Sequence, residues 1–317
     1  MKNVLTITLN PTIDKSSTVD RIAPEKKLRC ETPVFQPGGG GINVSRGLVR
    51  LGVDSTAFFL AGGRTGDLLG ELVGKEHVKV NSFSVSGDTR ENFIVVESST
   101  NQQYRFGMPG STITEEEQTG ILDAIRAMNP FPDIVVISGS LPPGVSPGYL
   151  RMLVKLAKER SARVIVDTSG DALKEVLEEG VFLVKPNLGE LANLTGMESL
   201  DNESADEAAQ ELAEAGKAEV IVVSMGPQGA YVVTKDLKEH IPAPAVKKLS
   251  TVGAGDSMVA GMVSVLAKGG DCLEMARMGV ACGTAATMNP GTGLFKKHDA
   301  ERLFNWLNKR SEKAVMK

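Results

Sequence analysis

Short runs of apolar, mostly branched residues recur along the chain: Ile134-Val135-Val136-Ile137, Val164-Ile165-Val166, Val181-Phe182-Leu183-Val184 and Val220-Ile221-Val222-Val223. Helical patterns such as Pro147 to Arg160 and Ser204 to Gly216 lie between them. Strands that are apolar throughout and alternate with helices predict an α/β fold, a mostly parallel sheet covered on both faces. The alternation of Val4, Leu5, Ile7 and Leu9, closed by Asn10 and Pro11, reads as a first strand. Polar or glycine-bearing breaks follow the runs: Ser138-Gly139-Ser140, Asp167-Thr168-Ser169-Gly170, Lys185-Pro186-Asn187 and Ser224-Met225-Gly226. Open α/β sheets bind ligands at the carboxyl ends of their strands, which makes these breaks candidate site segments.

Two stretches depart from the alternation, at about 15–35 and 91–106, the second carrying the period-two pair Phe93 and Val95. They read as antiparallel strands inserted between βα units, a small lid whose far face is left to pack on a second subunit. With 317 residues, 41% of them hydrophobic, and no low-complexity linker, the expected arrangement is one domain, 1–317, carrying this lid. A net charge of −4 with both signs interspersed gives no footprint for nucleic acid or an anionic membrane. No stretch reaches the roughly 18 to 20 apolar residues needed to span a bilayer. The N-terminus is too short and polar for a signal peptide. Cys30, Cys272 and Cys282, odd in number and without metal-ligand spacing, suit a reducing compartment, so the cytoplasm is the expected location.

The chemistry concentrates at Ser250-Thr251-Val252-Gly253-Ala254-Gly255-Asp256, which abuts an apolar segment, Ser257 to Ala267, that reads as a buried helix. Glycines let backbone N–H groups approach an anion, and the positive end of a helix stabilises the charge of a phosphoryl group in transfer. Asp256 beside that charge is placed to accept the proton of an attacking hydroxyl. A plain capping role in the first helical turn is the structural alternative. Gly38-Gly39-Gly40-Gly41-Ile42-Asn43-Val44-Ser45-Arg46 puts four glycines before another helix, allowing close approach of backbone and ligand. Pro37 and the spacing exclude a dinucleotide fingerprint there. A P-loop is absent as well, since Gly216-Lys217 runs into Ala218 and Gly74-Lys75 into Glu76.

Lys185-Pro186-Asn187-Leu188-Gly189-Glu190 offers a cation, an amide and a carboxylate toward nucleotide phosphates and Mg²⁺, or else a capping box from Asn187 to Glu190; both readings stay open. Arg90 and Arg105 flank the lid segment, and guanidiniums clamp phosphate well. His77, His240 and His298 have no partner spacing, and Met258, Met262, Met275 and Met278 read as core filler.

With the glycine run near the N-terminus, Asn187 to Glu190 in the middle and Gly253-Ala254-Gly255-Asp256 near the C-terminus, the chain resembles the ribokinase/PfkB family of sugar kinases over nearly its whole length. Lys27-Leu28-Arg29-Cys30, Pro37 to Val44, Gln103-Tyr104-Arg105-Phe106, Ser138 to Val145 and Ser250 to Met258 resemble the minor bacterial 6-phosphofructokinase branch. The resemblance implies a Rossmann-like central sheet, a β lid over the sugar, and a homodimer in which the lids meet. It makes Asp256 the catalytic base and the N–H groups of Gly253, Ala254 and Gly255 the anion hole. Asp14, Gly39, Gly40, Asn43, Arg90 and Arg105 match the sugar set, completed by a serine, Ser140 with Ser138 as fallback, and by Lys27 from the partner's lid.

By the same resemblance Lys185, Asn187, Ser224, Gly226 and Gly229 line the ATP site, Glu190 organises Mg²⁺, and Val280, Gly283 and Ala286 form the adenine pocket. A K⁺ site is implied at Ser250, Val252, Ala286, Asn289 and Gly291. The expected reaction is ATP-dependent phosphorylation of fructose 6-phosphate at O1, a glycolytic step. Gly39-Gly40-Gly41 follows that pattern, where relatives acting on fructose 1-phosphate or tagatose 6-phosphate read Gly-Gly-Lys-Gly. Tagatose-6-phosphate kinase and 1-phosphofructokinase are the alternatives within the class. A ribose or nucleoside kinase, or a non-catalytic sugar-phosphate sensor, lies outside it. Gly293, where a basic residue is expected, and Ala23, where an aromatic is, depart from the pattern and put regulation by a second ATP in doubt.

Overall fold

The computed structural model describes residues 1–201, 204–291 and 293–315, with side chains through 310. Its strands are β1 (Val4–Thr8), β2 (Thr12–Val19), β3 (Val34–Gly38), β4 (Ser55–Ala61), β5 (Lys79–Ser84), β6 (Arg90–Glu97), β7 (Gln102–Phe106), β8 (Ile134–Ser138), β9 (Arg163–Asp167), β10 (Val181–Val184), β11 (Ala218–Ser224), β12 (Ala230–Val233) and β13 (Lys238–Ile241). Its helices are α1 (Gly40–Arg50), α2 (Gly63–Lys75), α3 (Glu115–Arg126), α4 (Pro147–Glu159), α5 (Gly170–Glu179), α6 (Leu188–Thr195), α7 (Ala205–Glu214), α8 (Ala254–Lys268), α9 (Cys272–Thr287) and α10 (Lys297–Val315).

The four internal apolar runs became β8, β9, β10 and β11, and the two helical patterns became α4 and α7. The main sheet runs β13-β12-β11-β10-β9-β8-β1-β4-β5, parallel from β11 to β5 and closed by the antiparallel pair β12 and β13. Alternate residues of each strand serve opposite layers. Ile134, Val136, Ile165, Leu183, Val220 and Val222 pack toward α1, α8, α9 and α10. Val135, Ile137, Val164, Val166, Val184, Ile221 and Val223 pack toward α3, α4, α5 and α7. Both faces are therefore dry, which is why these strands read as continuous apolar runs.

The strand order reverses beside β1: the chain builds β4 and β5 on one side of it, then β8 to β11 on the other. That switch point is where a doubly wound sheet opens a crevice at its strands' carboxyl ends. Residues Ser257 to Ala267 of α8 are all buried, as expected of a helix that is apolar all round. Among the described residues no helix is long and apolar enough to cross a membrane, and the three cysteines are free.

The lid is a separate sheet ordered β3-β2-β6-β7. Its outer pairs, β2 with β3 and β6 with β7, are antiparallel as expected. Its central pair, β2 with β6, runs parallel from Thr12 opposite Arg90 to Val19 opposite Glu97. The reason is topological. Each of these strands begins an excursion out of the α/β body, so both run outward, and a period of two carries no information about direction.

Candidate active site

Helix α1 begins inside the switch point. A Cβ added at Gly40 would lie 2.2 Å from Ser138 Oγ and 2.8 Å from the Gly139 backbone N, and one at Gly41 would lie 2.6 Å from Thr8 Oγ1. No larger residue fits without moving the ends of β1 or β8, so this run is glycine to let a helix start touch two strand ends. Ser138 is buried, and among the described residues its Oγ has no hydrogen-bond partner. Ser140 instead is exposed, and its Oγ accepts from Asn10 Nδ2 at 3.1 Å. The ordering of the two serines is thus reversed: the residue nearer the strand end, not the one beyond it, faces the glycine turn.

Helix α8 starts from Gly253, whose φ of 72° is a left-handed conformation that glycine adopts without strain. The Ala254 N–H makes a long 3.4 Å bond to Thr251 O, while Ser257 N–H closes the first turn on Gly253 O. Asp256 lies in that first turn, and its Oδ2 accepts from Asn43 Nδ2 at 2.9 Å. Burial and the nearby Asp167 carboxylate push its pKa up to about 6, against the Asn43 hydrogen bond and the charges of Lys185 and Arg46.

Lys185 is buried and pairs with Asp167 at 3.1 Å. Burial works against its charge, yet Asp167, together with Glu190 and Asp256, more than offsets this and holds its pKa above the ordinary value. Nothing in the sequence singles out Asp167 beyond its place at the end of a buried strand, in the Asp167-Thr168-Ser169-Gly170 break. Asn187 and Glu190 form a capping box, Asn187 N–H to Glu190 Oε2 and Glu190 N–H to Asn187 Oδ1, each at 2.9 Å. The capping reading therefore holds, and it leaves Glu190 Oε1 outside the cap. Ser224 N–H donates to Pro186 O, which sets the loop of Ser224, Gly226 and Gly229 beside Asn187.

On the lid, strand register places Thr12, Asp14, Arg90, Asn92 and Arg105 on one face, and Lys15, Phe35, Phe93 and Phe106 on the other. Asp14 Oδ1 accepts from Asn92 Nδ2 at 3.1 Å. Burial pushes its pKa up, opposed by that bond and by Arg105, Arg90 and Arg46. Arg90 donates to Pro11 O, Met108 O and Asn10 O, so each terminal nitrogen keeps one further N–H. Lys27 is exposed between β2 and β3. On the opposite face Lys15 Nζ sits 5.1 and 5.0 Å from the ring centres of Phe35 and Phe93.

Of the expected adenine set, Val280 and Ala286 are 4% and 0% exposed and belong to the core that α9 shares with α8, while Gly283 keeps partial exposure. The proposed K⁺ segments do meet. Ser250 Oγ donates to Gly291 O at 2.9 Å and accepts from Val252 N–H at 3.2 Å, and Asn289 N–H bonds to Ala286 O at 3.1 Å. Oxygen-only donors of this kind suit a hard monovalent cation. For Mg²⁺, no cluster of three His, Cys, Asp or Glu residues exists among the described residues. The carboxylates present fit an ion held mainly by substrate phosphates. A cavity of about 590 Å³ opens at the other end of the sheet, lined by Asn3, Ser55 and Asn129 among others, far from these groups.

The chain that builds this glycine turn, helix start and lid matches a family model, the pfkB family carbohydrate kinase, over residues 2–299. The chain belongs to the pfkB family. This carbohydrate kinase is 43% identical to the ATP-dependent 6-phosphofructokinase isozyme 2 of Escherichia coli, covering 98% of this chain and 100% of that one. Its identity to the 1-phosphofructokinase of Bacillus subtilis is 33%, covering 92% and 94%. Solved structures of the E. coli phosphofructokinase-2 superpose with TM-scores of 0.93 in complex with potassium and 0.91 in complex with fructose-6-phosphate, covering 97% of this chain and 100% of that one. A tetrameric inhibited form of the same protein gives 0.91.

Proposed function

We propose that this pfkB kinase transfers the γ-phosphoryl group of ATP to O1 of fructose 6-phosphate, giving fructose 1,6-bisphosphate. The observation that carries the reading is Asp256, with Oδ2 held by Asn43 and Oδ1 left for a sugar hydroxyl, at the open start of α8. Asp256 takes the proton of the attacking O1 hydroxyl as the phosphoryl group moves toward the amides of Gly253 and Gly255. The Ala254 amide already bonds weakly to Thr251, so it contributes less.

Asp14, Asn43, the glycine turn at Gly39 and Gly40, and the unpartnered Ser138 hydroxyl hold the sugar. Arg105 and the remaining N–H groups of Arg90 hold the phosphate that the substrate already carries, helped by Lys27 of the partner's lid. Lys185, Asn187, Ser224, Gly226 and Gly229 line the nucleotide. Glu190 would help to hold a Mg²⁺, which would neutralise phosphate charge. Ser250, Val252, Ala286, Asn289 and Gly291 would hold a K⁺, which would order the loop leading into α8, in keeping with the potassium complex of the E. coli relative. The exposed aromatic row of the lid, with Phe93 41% and Phe106 50% exposed, is proposed to meet its counterpart in a homodimer.

The choice of sugar is supported by the higher identity to a 6-phosphofructokinase, 43%, than to a 1-phosphofructokinase, 33%. A panel of phosphosugars with coupled ADP detection tests the assignment. Fructose 6-phosphate is expected to exceed fructose 1-phosphate in kcat/KM by at least about tenfold. The reverse preference overturns the assignment, and binding of a sugar phosphate with no ATP turnover makes the chain a sensor.

A further inference from the structure

Arg46 lies one turn beyond Asn43 on α1, is 1% exposed, and touches none of the groups assigned to the nucleotide. Its Nη1 donates to Asn43 Oδ1 at 2.9 Å and to Pro37 O at 3.0 Å, and its Nη2 donates to Glu76 Oε1 at 2.6 Å. A guanidinium has donors only, so it dictates which end of the Asn43 amide it faces. The oxygen must point at Arg46, and the NH₂ must then point at Asp256, where the 2.9 Å bond is found. Without that anchor the Asn43 side chain is free to leave this rotamer, and Asp256 then loses the one donor that fixes its Oδ2. Glu76, at the end of α2 and 29% exposed, fixes the guanidinium from behind, with Arg50 as a second cation on the same carboxylate. Pro37 belongs to β3, so one side chain ties the root of the lid to the catalytic carboxylate.

We propose that Arg46 is a positioning residue: the chain Glu76–Arg46–Asn43 sets the rotamer of Asp256 and joins it to the lid strand that ends in the glycine turn. The proposal rests on Asp256 acting as the base. Charged groups facing this cluster are Asp167 at the end of β9 and Lys185 after β10 on the Asp256 side, and Asp14 of β2 on the lid side. Lysine at position 46 keeps the charge but cannot fork between Asn43, Pro37 and Glu76.

The test is a double-mutant cycle on the full chain with fructose 6-phosphate and ATP. Arg46→Lys is expected to lower kcat by about tenfold to a hundredfold, a larger factor than any rise in the sugar KM. Asn43→Ala lowers kcat as well, and the double variant is no slower than Asn43→Ala alone, because both changes break one chain. Glu76→Gln keeps a hydrogen bond to Arg46 but removes the charge that Arg46 and Arg50 stabilise, so it is expected to give a smaller kcat loss and a lower thermal midpoint. Multiplicative losses in the double variant, or Arg46→Lys at the parental kcat, overturn the proposal. Asp256→Asn at the parental kcat would overturn the base assignment instead, which separates the two failures.

Discussion

Asp256 Oδ2 and Asn43 Nδ2 meet at 2.9 Å across 213 residues of sequence, joining the starts of two helices that flank the same crevice. Asn43 has a near neighbour in Arg46, but its bond to Asp256 exists only because the fold brings α1 and α8 side by side. It uses one carboxylate oxygen and leaves the other to the substrate.

Replacing Asp256 by Asn keeps the hydrogen bond, since an amide oxygen still accepts from Asn43, but removes the proton acceptor. General-base catalysis contributes roughly 10²- to 10⁴-fold. The expected outcome is a kcat loss of that size with the fructose 6-phosphate KM within a few-fold of the parent. Steady-state kinetics of the purified variant check it, and a large KM change with kcat intact would show that Asp256 binds rather than reacts.

The pKa of about 6 at Asp256 gives two pH signatures. The log of kcat/KM should fall on the acid side with an apparent pKa near 6, as the base becomes protonated. For stability the sign is opposite to that of a salt-bridged carboxylate. The folded value lies above the ordinary 3.8, so the folded protein binds this proton more tightly than the unfolded chain. Ionising the group therefore lowers stability above pH 6, and the penalty disappears as pH falls toward 4. Asp256→Asn should accordingly melt higher than the parent at pH 8, with the gap narrowing through pH 6 and closing below about 4. Thermal melts at pH 4, 6 and 8 read this out, and a gap that does not depend on pH would contradict it.

The sheet and the Asp256 junction were legible because each is written in contiguous residues: apolar runs of strand length, and a glycine-rich start to a helix. What was not legible depends on meetings between distant segments. Asp167 is a strand-end carboxylate like many others until Lys185 closes on it. Ser138 and Ser140 differ by two positions, and only the approach of Gly40 separates a buried orphan hydroxyl from an exposed paired one. The parallel central pair of the lid leaves no trace in a period-two pattern.

The Gly40 contact yields a prediction about packing. In Gly40→Ala the new methyl meets Ser138 Oγ at 2.2 Å and the Gly139 backbone N at 2.8 Å, so the start of α1 must shift. Overpacking of this kind destabilises by about 1–3 kcal/mol, and the displaced turn should raise the sugar KM. Adding Ser138→Ala removes the nearer clash but not the backbone one, so it should recover part of the stability. Chemical denaturation of the single and double variants measures this. Full additivity of the two changes would mean that the residues do not press on each other.

Lys185→Met probes the buried pair. Methionine fills much the same volume, but Asp167 is left with its charge in a site where side-chain exposures are 8% and 16%. Breaking a buried pair by removing one partner is strongly destabilising, about 3–5 kcal/mol. Loss of the ammonium also removes a charge that favours ionised Asp256, while Asp167 remains to disfavour it, so the acid limb of kcat/KM should move to higher pH. Asp167→Asn in the same background should restore stability and draw the limb back down, because it removes the stranded charge that acts on both. If the limb of Lys185→Met instead coincides with that of the parent, Lys185 and Asp256 are not electrostatically coupled and the nucleotide side of the site is organised by other residues.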